Sequence, residues 1–183
     1  MKKMKNIIFI LILLLFSCTN IQNNIIKKEI PQSNQENNTN EKVNWIKLEE
    51  AFDKAQKENK YVMLSFYVDW CQFCKKLNTE VYFDEKLYKY LNEKFISVKI
   101  NAESEELIKF KNKNITKKTL AKLFGVEGYP NIFFLDTEDK ILGKIPSLLS
   151  AKDFYISASY IGNNAYKTIS LQEHKERMEI LEF

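Results

Sequence analysis

A Cys-x-x-Cys pair follows directly on a predicted buried strand, and this junction constrains the fold more than any other feature of the sequence. Residues 61–68 have the sequence YVMLSFYV, a short, largely apolar run of aromatic and branched side chains that is typical of a buried strand. Cys71 and Cys74 come next, and the apolar spacing through Leu77 and Val81 predicts a helix. The first cysteine is therefore predicted where a strand ends and a helix begins.

Helices and strands alternate along the rest of the folded part, which begins at Trp45. Apolar spacing predicts further helices near residues 48–59, 84–91, 103–124 and 151–161, and strands at 95–100, 131–135 and 141–145. Asp84 is the predicted N-cap of the second of these helices. A long helical crossover joins the first two strands, which should therefore be parallel, whereas the last two are close enough to form a hairpin. The prediction is an α/β domain in which helices flank a mixed four-stranded sheet.

The first 17 residues have the pattern of a secretory signal. Three lysines precede an unbroken apolar run at 7–16, which is too short to cross a bilayer as a permanent helix. The segment Leu15-Phe16-Ser17-Cys18 resembles the lipobox of bacterial lipoproteins, in which the cysteine becomes a lipidated N-terminus. The alternative is an ordinary cleaved signal, with Cys18 an incidental thiol. A lipidated Cys18 would anchor the protein to a membrane.

The segment after Cys18 differs in composition from the domain that follows. Residues 18–43 are rich in Asn, Gln and Ser and have no sustained period, so we predict a disordered tether before a domain at 44–183. The chain has 28 Lys and Arg against 24 Asp and Glu, and three of the lysines lie within residues 1–17, so removal of the signal leaves a net charge of +1. This near-neutral charge gives no support to a nucleic-acid partner, and the lysines between 109 and 118 are interpreted as a solvated helical face.

Two structural interpretations of the Cys-x-x-Cys pair can be weighed from the sequence. A structural zinc site needs four ligands, but only Cys71 and Cys74 remain after lipidation. The single histidine, His174, is far away in sequence and is predicted at the surface, so no metal site is expected. A structural disulfide is the stronger alternative, but so short a loop removes little entropy from the unfolded chain.

The third interpretation, a redox pair, is favoured by position. At the start of a helix, free N–H groups and the helix dipole stabilise a thiolate at Cys71. Cys74 is one turn farther into the helix, close enough to bond to Cys71. The arrangement predicts an exposed attacking sulfur and a sheltered resolving sulfur.

Three segments of the chain resemble the thioredoxin superfamily. They are the Trp-Cys-x-x-Cys-Lys motif after its strand, the strand FISVKIN, and Gly128-Tyr129-Pro130 followed by IFFLD. The similarity covers roughly residues 45–161 and is greatest to exported bacterial thioredoxin-like proteins and to the C-terminal thioredoxin-like domain of the membrane thiol:disulfide interchange protein. It implies a thioredoxin fold, with two parallel strands and a C-terminal hairpin in the sheet.

The resemblance also implies roles for individual residues. Cys71 would be the nucleophile, Cys74 the resolving thiol, and Pro130 a cis-proline that faces them. Family members bind the substrate chain through the backbone of the residue before that proline, here Tyr129. Trp70, Phe73 and Tyr129 would form an apolar rim for flexible substrate segments, although scattered aromatic residues could equally belong to the core.

The chain departs from the family pattern beside the motif. Thioredoxins commonly carry a buried aspartate on the strand before the cysteines, where this chain has Ser65. Lys99, at the place of the family's companion lysine, would then lack its usual partner. Asp69 is the nearest carboxylate and is either a proton relay through water or a solvated loop acid. The helical pattern of residues 163–183 is expected to pack against the domain.

Together these features predict a membrane-anchored thiol–disulfide oxidoreductase of the cell envelope that reduces exported proteins. Its expected partners are cysteine-containing exported proteins and a membrane electron donor of the thiol–disulfide interchange type, and no cofactor is expected. Two alternatives remain open. One is a thiol oxidase with the same site, and the other is a lipid-anchored binding protein that uses the fold as a scaffold.

Overall fold

A computed structural model of the protein describes residues 42–181. The predicted signal at 1–17, Cys18, and all but the last two residues of the predicted tether therefore lie outside the described residues. None of the helices between residues 42 and 181 combines the length and the apolar character needed to cross a bilayer.

The described part is built from six helices and six strands, with short 3₁₀ turns at Val81–Phe83 and Ala165–Lys167. In chain order the elements are α1 (Leu48–Glu58), β1 (Tyr61–Tyr67), α2 (Gln72–Thr79), α3 (Glu85–Lys94), β2 (Phe95–Asn101), β3 (Leu107–Phe110), β4 (Lys113–Thr116), α4 (Lys117–Leu123), β5 (Asn131–Leu135), β6 (Ile141–Ile145), α5 (Ala151–Gly162) and α6 (Leu171–Ile180). Asp84 caps α3 as predicted, because its side chain accepts a hydrogen bond from the N–H of Leu87.

The main sheet has the strand order β2-β1-β5-β6. β1 is parallel to β2 and antiparallel to β5, and β5 forms a hairpin with β6. The predicted mixed four-stranded sheet of a thioredoxin fold, with its parallel pair and C-terminal hairpin, is confirmed.

Both faces of this sheet are covered because the side chains of β1 alternate between two apolar clusters. Val62, Leu64 and Phe66 pack with α1 and α4 on one face. Met63 packs with α2, α3 and α5 on the other. Cys71 and Cys74 belong to the first cluster and follow the C-terminal end of β1.

The prediction of a helix over residues 103–124 is wrong for its first part. β3 and β4 form an antiparallel hairpin there, and only Lys117–Leu123 is helical. Lys111 and Asn112 have φ of 49° and 60°, the left-handed conformations that a two-residue hairpin turn requires. Ile108 is buried and pairs with Ile115 across the hairpin. The lysines of this region are therefore distributed over a hairpin and a short helix and do not share one helical face.

Both ends of the described chain contact the domain. Val43, the last residue of the predicted tether, is 2% exposed and belongs to the second cluster. At the other end α6 packs against α5, where Nε2 of His174 lies 2.8 Å from the hydroxyl oxygen of Ser159. The prediction of a surface histidine is wrong, because this contact with a different helix leaves His174 only 7% exposed.

Candidate active site

The cysteine pair occupies the junction between β1 and α2. The backbone turns after Val68, whose carbonyl oxygen accepts a hydrogen bond from the N–H of Cys71 at 3.2 Å. Cys71 is the N-cap of α2, and its sulfur accepts a hydrogen bond from the N–H of Cys74 at 3.0 Å. The two residues form a disulfide with a Cα–Cα distance of 5.2 Å. In a reduced protein with the same backbone, this N–H and the helix dipole would stabilise a thiolate on Cys71.

The prediction of an exposed sulfur at Cys71 is wrong for this oxidised state. Cys71 is 4% exposed and Cys74 is 3% exposed, so the two residues are buried to the same degree. The reason is the turn after β1, which folds back against the apolar cluster that contains Phe66 and Val68. The two sulfurs differ in their position on the helix, where Cys71 caps the first turn and Cys74 lies within it.

Aromatic side chains surround this junction. Trp70 is 65% exposed and Phe73 is 63% exposed, as an apolar rim requires. Tyr129 is half-buried against the cluster that contains both cysteines. Its ring meets that of Trp70 edge to face, with 6.2 Å between the ring centroids. The peptide bond between Tyr129 and the buried Pro130 is cis, as the resemblance implies.

A fourth group at this rim, Glu103, was not predicted from the sequence. Both carboxylate oxygens of Glu103 accept from the indole N–H of Trp70 at 3.1 Å. The side-chain oxygen of Asn101 accepts from the Glu103 N–H at 3.0 Å, and its amide nitrogen donates to Asp69 at 3.0 Å. Burial, and then the charge of Glu103, raise the pKa of Tyr129. No local pattern marks Glu103, because the loop after β2 meets the motif only in the folded chain.

The structure places the two predicted relay residues in separate environments. Asp69 is exposed, and its carboxylate accepts a hydrogen bond from the side-chain amide of Asn101. Lys99 is paired with Ser65 in the β1–β2 register, and its ammonium lies 4.6 Å from the ring centre of Trp45. Ser65 itself accepts a hydrogen bond from the buried hydroxyl of Tyr82. A relay through Asp69 and Lys99 therefore stays a prediction.

Two further sequence predictions concern Cys18 and metal binding. Cys18 lies outside the described residues. Within residues 42–181, no three His, Cys, Asp or Glu side chains converge in a way that could hold a metal ion.

Comparisons with known proteins agree with this geometry. A family model described as "Thioredoxin-like domain" matches residues 48–161. Human spermatogenesis-associated protein 20 is 40% identical over 62 residues, which are 33% of this chain and 8% of that protein. The thiol:disulfide interchange protein DsbD of Photorhabdus laumondii is 28% identical over 134 residues, which are 73% of this chain and 21% of that protein. The chain thus matches less than a quarter of the length of either relative.

Solved structures confirm the fold. A thioredoxin-fold protein from Helicobacter pylori superposes with a TM-score of 0.58 at 21% identity, over 67% of this chain and 86% of that one. The family model in turn covers more than half of the chain, from the start of α1 to the end of α5. The protein therefore belongs to the thioredoxin-like domain family.

Proposed function

We propose that the protein is a thiol–disulfide oxidoreductase that reduces disulfides of exported proteins through Cys71 and Cys74. The proposal rests above all on one observation, the hydrogen bond from the Cys74 N–H to the Cys71 sulfur at the first turn of α2. A structural disulfide needs no such donor, whereas a reactive thiolate is stabilised by it. The exposed rings of Trp70 and Phe73 beside the pair are consistent with a surface for flexible substrate segments.

The proposed reaction is two successive exchanges at sulfur. The thiolate of Cys71 attacks one sulfur of the substrate disulfide, forms a mixed disulfide, and releases the other substrate sulfur as a thiolate. Cys74 then loses its proton to solvent and attacks the sulfur of Cys71. This step breaks the mixed disulfide and releases the second substrate thiolate. Two electrons pass from the cysteine pair to the substrate, and a dithiol donor must reduce the Cys71–Cys74 disulfide before the next cycle.

The reverse direction is the second candidate, in which the disulfide of this protein oxidises substrate thiols. The name of the DsbD relative, a thiol:disulfide interchange protein, is compatible with both directions. Equilibration with glutathione buffers separates them, because strong oxidants have potentials of about −120 mV and reducing thioredoxins of about −270 mV. We expect a value toward the reducing end. A value near that of the strong oxidants would reverse the proposed direction.

Mixed-disulfide trapping tests the exchange itself and separates it from a scaffold role. Cys74→Ser retains the Cys71 thiol and the capping N–H but removes the resolving thiol. In cells this variant should accumulate adducts that dithiothreitol releases, and the matched Cys71→Ser variant should not. Absence of adducts from Cys74→Ser, with the protein folded and Cys71 intact, would favour the scaffold alternative.

We further propose that the protein is exported and held at a membrane through a lipidated Cys18, with residues 18–41 as the tether, because Val43 is buried in the domain. The signal pattern of residues 1–17 and the lipobox-like segment support this location. Membrane fractionation tests it: the full chain should sediment with membranes, and Cys18→Ala should appear in the soluble exported fraction. Equal distribution of the two would leave Cys18 without an anchoring role.

A further inference from the structure

We infer that Glu103 is a specificity-determining residue of the proposed exchange, favouring substrates with lysine or arginine beside the reactive cysteine. The inference rests on the proposed function, because it concerns the choice of substrate at the same site. Glu103 lies in the loop between β2 and β3, on the rim formed by Trp70 and Tyr129.

Two hydrogen bonds fix the position of Glu103. Its backbone N–H donates to the side chain of Asn101 at 3.0 Å, which orients the loop. Its carboxylate accepts from the indole N–H of the exposed Trp70, with both oxygens at 3.1 Å. The negative charge is therefore held in place beside the residue that directly precedes Cys71, where a free glutamate side chain would sample many rotamers.

The charge of Glu103 is available to an incoming substrate. Among residues 42–181 no lysine or arginine forms an ion pair with this carboxylate, while its neighbours Glu105 and Glu106 are paired with Lys118 and Lys117. Glu103 contributes only a minor part of the raised pKa of Lys118, whose main cause is the hydrogen bond to Glu105. A carboxylate accepts up to about four hydrogen bonds, so the bond to Trp70 leaves room for a substrate cation.

The field of Glu103 also acts where the substrate is expected to bind. Its charge is one of the two causes that raise the pKa of Tyr129, the residue before the cis-proline. A substrate chain docked beside Tyr129 would therefore meet a negative potential. A cationic side chain next to the substrate cysteine lowers the free energy of the encounter, and an anionic one raises it. Two lysines, Lys75 and Lys76, follow the motif on α2, and Lys76 is paired with Glu80 at 3.7 Å.

A matched pair of peptides tests the inference with the full reduced chain. The two disulfide-linked peptides differ only in whether lysine or glutamate flanks the cysteine, and the initial rate of reduction of each is measured at pH 7 and low ionic strength. We expect the lysine peptide to react faster. The ratio of the two rates should fall toward one in about 0.5 M salt, which screens exposed charges beyond about 4 Å.

Variants assign the selectivity to Glu103. Glu103→Gln keeps an oxygen that can accept from Trp70 and removes the charge, so it should lower the rate ratio by about threefold, the effect of one exposed ion pair. Glu105→Gln removes a charge two residues away that is already paired with Lys118, and it should leave the ratio as in the wild type. An unchanged ratio in Glu103→Gln, or an equal loss in both variants, overturns the inference.

The same assay separates failure of the inference from failure of the proposed function. Reduction of both peptides at equal rates by the wild-type protein overturns the charge preference and leaves the exchange reaction intact. If neither peptide is reduced, the proposed exchange reaction is overturned, and so is the inference that rests on it.

Discussion

The hydroxyl of Tyr82 donates a 3.0 Å hydrogen bond to the hydroxyl of Ser65, and both side chains are buried. Ser65 lies on β1 six residues before Cys71, where the thioredoxin resemblance leads one to expect a buried aspartate. Burial raises the pKa of Tyr82, so its hydroxyl keeps the proton and remains a donor. A neutral pair thus occupies the position at which the resemblance implies an ionisable group.

The Ser65–Tyr82 bond should show coupling in a double-mutant cycle. Ser65→Ala leaves the Tyr82 hydroxyl buried without its partner and should cost about 1–3 kcal/mol of unfolding free energy. Tyr82→Phe leaves the Ser65 hydroxyl buried without its partner and should cost a similar amount, about 1–3 kcal/mol. The double variant should lose less than the sum, because it leaves no orphaned hydroxyl at this contact. Urea denaturation measures all three, with Thr79→Ala as an exposed control expected to change stability by less than about 0.5 kcal/mol. Strict additivity would mean that the hydrogen bond contributes nothing specific.

A second prediction concerns the chemical difference between the two cysteines. In reduced Cys74→Ser the Cys71 sulfur keeps the backbone N–H of residue 74, whereas Cys74 in Cys71→Ser has no cap position of its own. We expect Cys74→Ser to be alkylated by iodoacetamide at pH 7 at least about tenfold faster than Cys71→Ser. Unfolded in urea, the two variants should react alike. Equal rates in the folded proteins would remove the physical basis for naming Cys71 as the nucleophile.

Several features of the fold and the site have local signals in the sequence. The strand at Tyr61–Tyr67, the N-cap Asp84 and the strand–helix position of Cys71 follow from periodicity and residue type, and all three are observed. The β3–β4 hairpin also has a local signal, since Ile108 and Phe110 alternate with lysines, but the apolar residues of 103–124 also fit a longer helical spacing. The cis peptide bond before Pro130 has no local signal and is implied only by the resemblance to the thioredoxin superfamily.

Other features depend on contacts between distant segments and could not be predicted. Glu103 meets Trp70 across 33 residues, and His174 meets Ser159 between two helices. Neither contact is predicted by a pattern in the sequence. The burial of Cys71 belongs to the same class, because it depends on how the turn after β1 folds against the apolar cluster.

A third prediction contrasts two glycines. A Cβ at Gly162 would lie 2.5 Å from the Tyr90 hydroxyl oxygen and 3.2 Å from Cβ of Lys94, whereas a Cβ at Gly128 would have no heavy atom within 4 Å. The Tyr90 hydroxyl cannot move away freely, because it donates a hydrogen bond to the side-chain oxygen of Asn163 at 2.9 Å. Gly162→Ala should therefore cost about 1–3 kcal/mol of unfolding free energy, and Gly128→Ala should be near neutral. Similar urea midpoints for the two variants would show that α3 and α5 adjust at no cost.

The last prediction concerns pH and the attachment of α6. Ser159 donates its hydroxyl proton to the carbonyl of Ile156 at 3.0 Å, so Nε2–H of His174 is assigned as the donor to Ser159. Burial, and then the charge of Arg177, lower the pKa of His174 below its usual 6.5. Protonation therefore leaves the hydrogen bond to Ser159 in place but puts a charge in a poorly hydrated site.

The sign of the pH effect follows from this lowered pKa. Below pH 6.5 the unfolded chain binds the proton at His174 more readily than the folded protein does, so stability is full above that pH and falls as the pH drops through the lowered folded pKa. Urea denaturation at pH 7.5 and 5.5 should show a larger loss for the wild type than for His174→Gln, which cannot titrate. Both pH values lie above the lowered pKa values of Glu58 and Glu85, which keeps those carboxylates ionised throughout. An equal loss in the two proteins would mean that α6 tolerates a charged imidazole, and the acid sensitivity would then have to come from another group.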